Sequence, residues 1–151
     1  MKLAVFLTLA ASAAADIIYL ANCNAAGSPF GFRAAVFHTG GGAGNGQLNP
    51  STGNIGIAGS EEFWGQSEEI IVIYPDTQEV LVVQPLNDDD ATVGFVAGTA
   101  SNRQGKFTCR RDTDTQLFNN GFITCDRNFF CQPVSDTTFS SVTSITRSWT
   151  G

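Results

Sequence analysis

Two apolar runs near the middle of the chain, Ile70-Ile71-Val72-Ile73-Tyr74 and Val80-Leu81-Val82-Val83, are broken by Pro75-Asp76-Thr77. Proline presets φ for the second position of a turn and aspartate hydrogen-bonds its own backbone, so the pattern predicts a β-hairpin. Neither run alternates between apolar and polar residues. Near-continuous apolar strands predict burial on both faces, with protein above and below the hairpin. The same reading places further short strands at residues 17–23, 30–37, 55–59, 91–98, 106–110, 115–118 and 122–126, with Phe129-Phe130-Cys131 closing the series. Almost nothing recurs at helical spacing. Strands repeating every ~8 to 12 residues with turns between them predict an all-β fold, a β-sandwich or small β-barrel of about eight strands.

The two ends of the chain differ from this pattern. Residues 1–15 carry one lysine, a short apolar run and Ala-x-Ala, the order of a cleavable secretory leader, and the run falls well short of the roughly 20 residues that span a bilayer. Residues 16–131 form the predicted β-rich domain. Half of residues 132–151 are Ser or Thr, interrupted by Phe139, Val142, Ile145 and Trp149. That tail reads either as a mobile end or as a segment whose apolar residues dock on the domain. The glycine-rich residues 40–46 lack the Gly-Lys-Ser/Thr of a phosphate-binding loop and read as a connection.

Loss of the leader takes Lys2 with it, so the formal net charge of −6 becomes −7 and Lys106 is left as the sole lysine. An acidic surface of this kind argues against nucleic acid or anionic lipid as partners. Nothing in the mature sequence is long enough for membrane insertion, and a monomer is expected. All four cysteines, Cys23, Cys109, Cys125 and Cys131, lie in the mature part, an even number that in an exported chain predicts two disulfides. Spacing does not decide among the three pairings. The one favoured here, Cys23 with Cys131 and Cys109 with Cys125, ties the first strand to the last and staples a local meander.

Candidate chemistry is sparse. His38 is the only histidine and has no carboxylate near it in sequence, which disfavours a Ser-His-Asp or Cys-His site. Glu61, Glu62, Glu68 and Glu69 surround Trp64, an arrangement that suits glycoside hydrolysis but equally describes a solvated acidic loop. Trp64 and Phe63 are the candidate binding residues, as exposed aromatics able to stack on a partner. Trp149 is a further candidate; Phe129 and Phe130 read as packing beside a disulfide. Asp88, Asp89 and Asp90, followed by Thr92, could gather oxygens around calcium, although the ligand spacing of an EF-hand is missing. Phe30, Phe32, Phe95, Phe107 and Phe122 are expected to fill the core. No cofactor is predicted.

Several landmarks occur in order: Ile18-Tyr19-Leu20-Ala21-Asn22-Cys23, Asn45-Gly46-Gln47 with Pro50, Trp64-Gly65, Tyr74-Pro75-Asp76-Thr77, and Phe107-Thr108-Cys109 with Arg111-Asp112. Gly121-Phe122-Ile123-Thr124-Cys125 and Phe129-Phe130-Cys131 complete them. Together they resemble a family of small secreted fungal proteins that includes candidate effectors and elicitors. The resemblance spans residues 17–131. It implies a secreted β-rich domain with two disulfides, no known catalytic residues and, in some members, a role at the surface of a host plant. The family pattern ends at or near the last cysteine, so the Ser/Thr-rich tail is a departure from it. The resulting expectation is a non-catalytic protein that binds a host extracellular or membrane protein. The alternative is a module that binds carbohydrate or cell-wall glycan, and a small acidic hydrolase is the third class.

Overall fold

The computed structural model describes residues 16–38, 54–60, 64–65 and 68–134. The expected leader, the glycine-rich loop, Glu61, Glu62, Phe63 and the tail beyond residue 134 lie outside the described residues, and His38 is described by its backbone alone. Nine strands follow one another: β1 (Ile17–Ala25), β2 (Gly31–His38), β3 (Ile55–Ser60), β4 (Ile70–Tyr74), β5 (Glu79–Val83), β6 (Val96–Asn102), β7 (Gly105–Arg111), β8 (Gln116–Asn119) and β9 (Ile123–Pro133). β1 to β7 pair in chain order, β9 pairs with β7, and β1 pairs with β9. The result is a closed, eight-stranded antiparallel β-barrel, with β8 added beside the first half of β9. No helix among the described residues is long and apolar enough to cross a membrane.

An eight-stranded barrel leaves an interior just wide enough for side chains to fill. Here Ile18, Leu20, Val72, Leu81, Val83, Phe107 and Phe129 fill it. Successive strand residues point to opposite faces, so Tyr19, Ala21 and Cys23 of β1 leave the barrel on its outer side. They meet Ala34 and Val36 of β2, Leu117 and Phe118 of β8, and Cys125 in a second core. The strands buried on both faces are therefore β1 and β2. The hairpin β4–β5, predicted to be covered on both sides, is not: β4 alternates buried and exposed along its five residues, and Ile71 on its outer face is 56% exposed. β-branched residues suit a pleated surface whichever way they point, so an apolar run alone does not reveal a second covering layer.

The turn itself is as the sequence predicts. Gln78 adopts φ 55°, its amide donates to the Tyr74 carbonyl at 2.8 Å, and Glu79 N–H donates to Thr77 Oγ1 at 3.3 Å. The strand expected at residues 91–98 is displaced. Gly94 takes φ 86° inside a turn in which Phe95 N–H donates to the Thr92 carbonyl, and β6 begins only at Val96. Small residues, Ala97, Gly98, Ala100 and Ser101, dominate β6 and hide it from a search for apolar alternation. Two of the phenylalanines expected inside are outside: Phe30 is 62% and Phe122 78% exposed, each in the turn just before a strand. β9 continues past Cys131, and Val134 N–H donates to the Lys106 carbonyl, so the domain extends at least to residue 134.

The disulfides are Cys23–Cys125 and Cys109–Cys131, which corrects the favoured pairing of Cys23 with Cys131 and Cys109 with Cys125. Strand register decides it. Cys23 lies opposite Cys125 across β1–β9, and Cys109 opposite Cys131 across β7–β9, each pair with Cα atoms 4.0 Å apart. Cys125 and Cys131 are an even number of residues apart and in a regular strand would share a face. A bulge in β9 at Asn128, where Leu20 pairs with Phe129 but Ala21 with Arg127, reverses that parity. Cys125 consequently joins the outer core and Cys131 the barrel interior.

Peptide mapping without reductant is expected to recover these two pairs. Chain-entropy arguments assign about 4.7 kcal/mol to a bridge closing a loop of about 100 residues and about 3 kcal/mol to a short one. The pairs are 102 and 22 residues apart. Urea denaturation of C23A/C125A should therefore show the larger stability loss, and C109A/C131A the smaller.

Candidate functional site

The barrel ends are built from different chemistry. One end carries the C-terminal ends of β3, β5 and β7 and is closed by a tryptophan. Trp64, in the connection between β3 and β4, is only 3% exposed; its Nε1–H donates to the Ala21 carbonyl at 3.0 Å, and the buried Arg33 guanidinium lies 5.7 Å from its ring centroid. The expectation of Trp64 as an exposed binding residue is overturned: its ring belongs to the barrel core, and its indole N–H is committed to β1. Phe63, its proposed companion, lies outside the described residues. Next to Trp64, Gly65 adopts φ 103°, and a Cβ there would sit 2.6 Å from Asp88 Cβ. Only glycine allows the tryptophan loop to approach the β5–β6 connection this closely.

Asp88, Asp89 and Asp90 do not converge. Asp88 Oδ1 accepts from Arg111 Nη1 at 2.6 Å, and Arg111 Nη2 donates to Asp114 at 2.5 Å while its guanidinium packs on the Phe129 ring. Asp89 is exposed, and its amide donates to Asn87 Oδ1. Asp90 Oδ1 accepts the Thr92 amide, and the hydrogen bonds from Thr92 hold its carboxyl below the usual aspartate value. Among the described residues no group of three or more His, Cys, Asp or Glu side chains is placed to hold a metal ion. Asp88 alone ties the β5–β6 connection to β7, while Asp89 and Asp90 take part in local turns, so the three do not form the calcium cluster that the sequence suggests. Of the acidic residues around Trp64, Glu68 and Glu69 are exposed, and Glu69 accepts from Gln84 Nε2 at 2.7 Å. With the indole buried, a sugar-stacking hydrolase site at this end loses its platform.

The opposite end carries the last residues of β2, β4 and β6 and the first of β3, β5 and β7. A recess of about 190 Å³ opens there, bordered by Phe37, Asn54, Tyr74, Thr77, Glu79, Asn102 and Gln104. Tyr74 is the last residue of β4 and is 6% exposed, with its ring in the interior core. Its hydroxyl is buried without a hydrogen-bond partner. Gly56 makes room for the ring: a Cβ there would meet Val72 Cγ1 at 2.6 Å and Tyr74 Cζ at 3.1 Å. Burial, and secondarily the negative charge of Glu79, raises the tyrosine pKa well above its ordinary value of 10, so the phenol stays protonated. Glu79 itself accepts from Asn102 Nδ2 at 3.3 Å and lies 3.7 Å from Arg103 Nε. Asn102 is fixed in turn, its Oδ1 accepting from the Gln104 and Gly105 amides at 2.9 and 3.1 Å.

This mouth is the candidate functional site, and sequence reasoning did not find it. Tyr74 and Glu79 look like ordinary members of a hairpin. Only the folded barrel brings them together with Asn54, just before β3, and Asn102, at the end of β6. Native structures rarely leave a buried hydroxyl unpaired, and each instance calls for an explanation.

Three outcomes follow. Trp64→Phe removes the bond to Ala21 and part of the ring that fills the barrel end, and is expected to cost at least about 1 kcal/mol in denaturation. Millimolar calcium is expected to leave the melting temperature unchanged. Because the folded state raises the Tyr74 pKa, stability is fully present below pH 10 and falls as pH rises above it. Tyr74→Phe should flatten that alkaline decline in thermal melts and, by removing an unpaired buried hydroxyl, leave the protein as stable or more stable at neutral pH.

No protein-family model, curated protein or solved structure matches the chain.

Proposed function

We propose that the protein is exported by a fungus and acts by binding, as an effector or elicitor whose target is an extracellular or membrane protein of a host plant. Three features support this reading. The first is the secretory pattern of residues 1–15. The second is the pair of disulfides, which is compatible with an oxidising extracellular setting. The third is the resemblance to small secreted fungal proteins.

The observation that carries the binding role is an apolar band on the outer faces of β3, β4 and β5. Ile57 lies opposite Ile73, and Ile73 opposite Val80, in one row across three strands; Ile71, opposite Val82, starts the next. Ile57, Ile71, Ile73 and Val80 are all exposed. Contiguous exposed apolar side chains on a soluble domain mark surfaces that meet other molecules. These residues are β-branched and sit on a rigid sheet, so little conformational freedom remains to be lost when a partner covers them.

The test is infiltration of purified mature protein into leaves, scored for cell death or a defence response. The wild-type protein should elicit one. I71D/I73D, altered only at exposed positions, should melt close to wild type, since surface substitutions shift stability by about 0.5 kcal/mol or less. Its response should be lost or reduced at least tenfold. A full response from the variant would remove the apolar band as the working surface, and silence from the wild type would sink the host-directed reading.

A further inference from the structure

The mouth of the barrel opposite Trp64 raises a question that a role for the outer apolar band does not answer. The Tyr74 hydroxyl is buried and unpaired, and Tyr74 borders a recess whose other walls are polar apart from Phe37. Burying a hydroxyl without a partner costs about 1–3 kcal/mol, a cost that phenylalanine at the same position would avoid. The fold also reserves space for this ring by having glycine at position 56. A site that holds a protonated donor ready and leaves it unsatisfied is arranged for something that arrives from outside.

We propose that this recess binds a single neutral sugar residue of a glycan, with Tyr74, Glu79 and the amides of Asn54, Asn102 and Gln104 taking its hydroxyls and Phe37 covering an apolar ring face. Size sets the first limit. About 190 Å³ corresponds to about six waters at the density of the liquid, room for one pyranose ring and below the ~300 Å³ at which pockets for drug-sized ligands begin.

Charge sets the second limit. Glu79 is 15% exposed, and its carboxylate repels an anionic ligand, in keeping with the net charge of the whole chain. Arg103 already lies against that carboxylate, which weakens its pull on a cation. What remains is hydrogen bonding to neutral hydroxyls, each able to donate to Glu79 and to accept from a phenol or an amide.

Preorganisation completes the picture. Asn102 is pinned through its Oδ1 to two backbone amides, and Thr77 Oγ1 accepts the Glu79 amide. These side chains therefore lose little freedom on binding. The half-buried Phe37 packs against the interior core and offers the aromatic surface on which the C–H face of a sugar rests. The sugar site is independent of the apolar band on β3–β5, and neither stands or falls with the other.

The experiment is a titration of the ¹⁵N-labelled mature protein with glucose, mannose and N-acetylglucosamine, followed by amide chemical shifts. At least one sugar is expected to give saturable shifts centred on residues 74–79 and 102–104, with a dissociation constant of about a millimolar for so small a ligand. Tyr74→Phe should weaken that binding at least tenfold without lowering the melting temperature, and Glu79→Gln should weaken it severalfold. Sedimentation with insoluble chitin, cellulose and β-1,3-glucan then identifies the polymer that supplies the sugar. Absence of saturable shifts with all three sugars at 50-fold the expected constant, or undiminished binding by Tyr74→Phe, would overturn the proposal.

Discussion

β9 is bonded covalently on both of its edges, to β1 through Cys125 and to β7 through Cys131, and the closure of the barrel depends on that double attachment. An up-and-down sheet closes only when its first strand finds its last, which is the contact of longest sequence separation and the slowest to form. Here that contact carries a disulfide, so the seam stays shut once made. The Asn128 bulge sends one sulfur bridge into the barrel and the other to its outer side. Each core thus contains one bridge, and neither core can slide against the other along β9.

From that seam the division of labour around the barrel follows. The β1–β2 side is thick, with β8 adding Leu117 and Phe118 to a second core. The β4–β5 side is a single layer whose outer residues meet solvent. One end is filled by Trp64, whose indole donates to Ala21, by Arg33 against its ring, and by Arg111 paired with Asp88 and Asp114. The other end holds the unpaired Tyr74 hydroxyl. The second core thickens one side of the barrel, and the exposed apolar band and the Tyr74 recess lie away from it.

The all-β class, the two disulfides, the β4–β5 hairpin and most strand positions were legible in the sequence, because turn chemistry and β-branched runs are local signals. The errors arose wherever the answer depended on closure. The pairing of cysteines is fixed by register between strands about 100 residues apart and by a bulge that no spacing rule reveals. Whether the outer face of β4 is covered depends on where β8 lies, which the hairpin itself cannot say. Trp64 reads as an exposed aromatic in an acidic loop, yet its ring fills the barrel end, since a large apolar ring near a strand end is drawn to the nearest unfilled core. The Tyr74 mouth was illegible for the same reason: its side chains come from β2, β4, β5 and β6, from the residue before β3 and from two turns, and share no motif.

β8 has one neighbour, β9, and is the terminal strand of the sheet among the described residues. Among the described residues the barrel strands have neighbours on both sides, so β8 supplies the free edge, and it is four residues long. Unpaired edge N–H and C=O groups are what a second chain adds to when proteins stack into fibrils, and a short edge limits how far such stacking propagates. The arrangement lets the domain carry an apolar outer band while giving aggregation little backbone template on which to start.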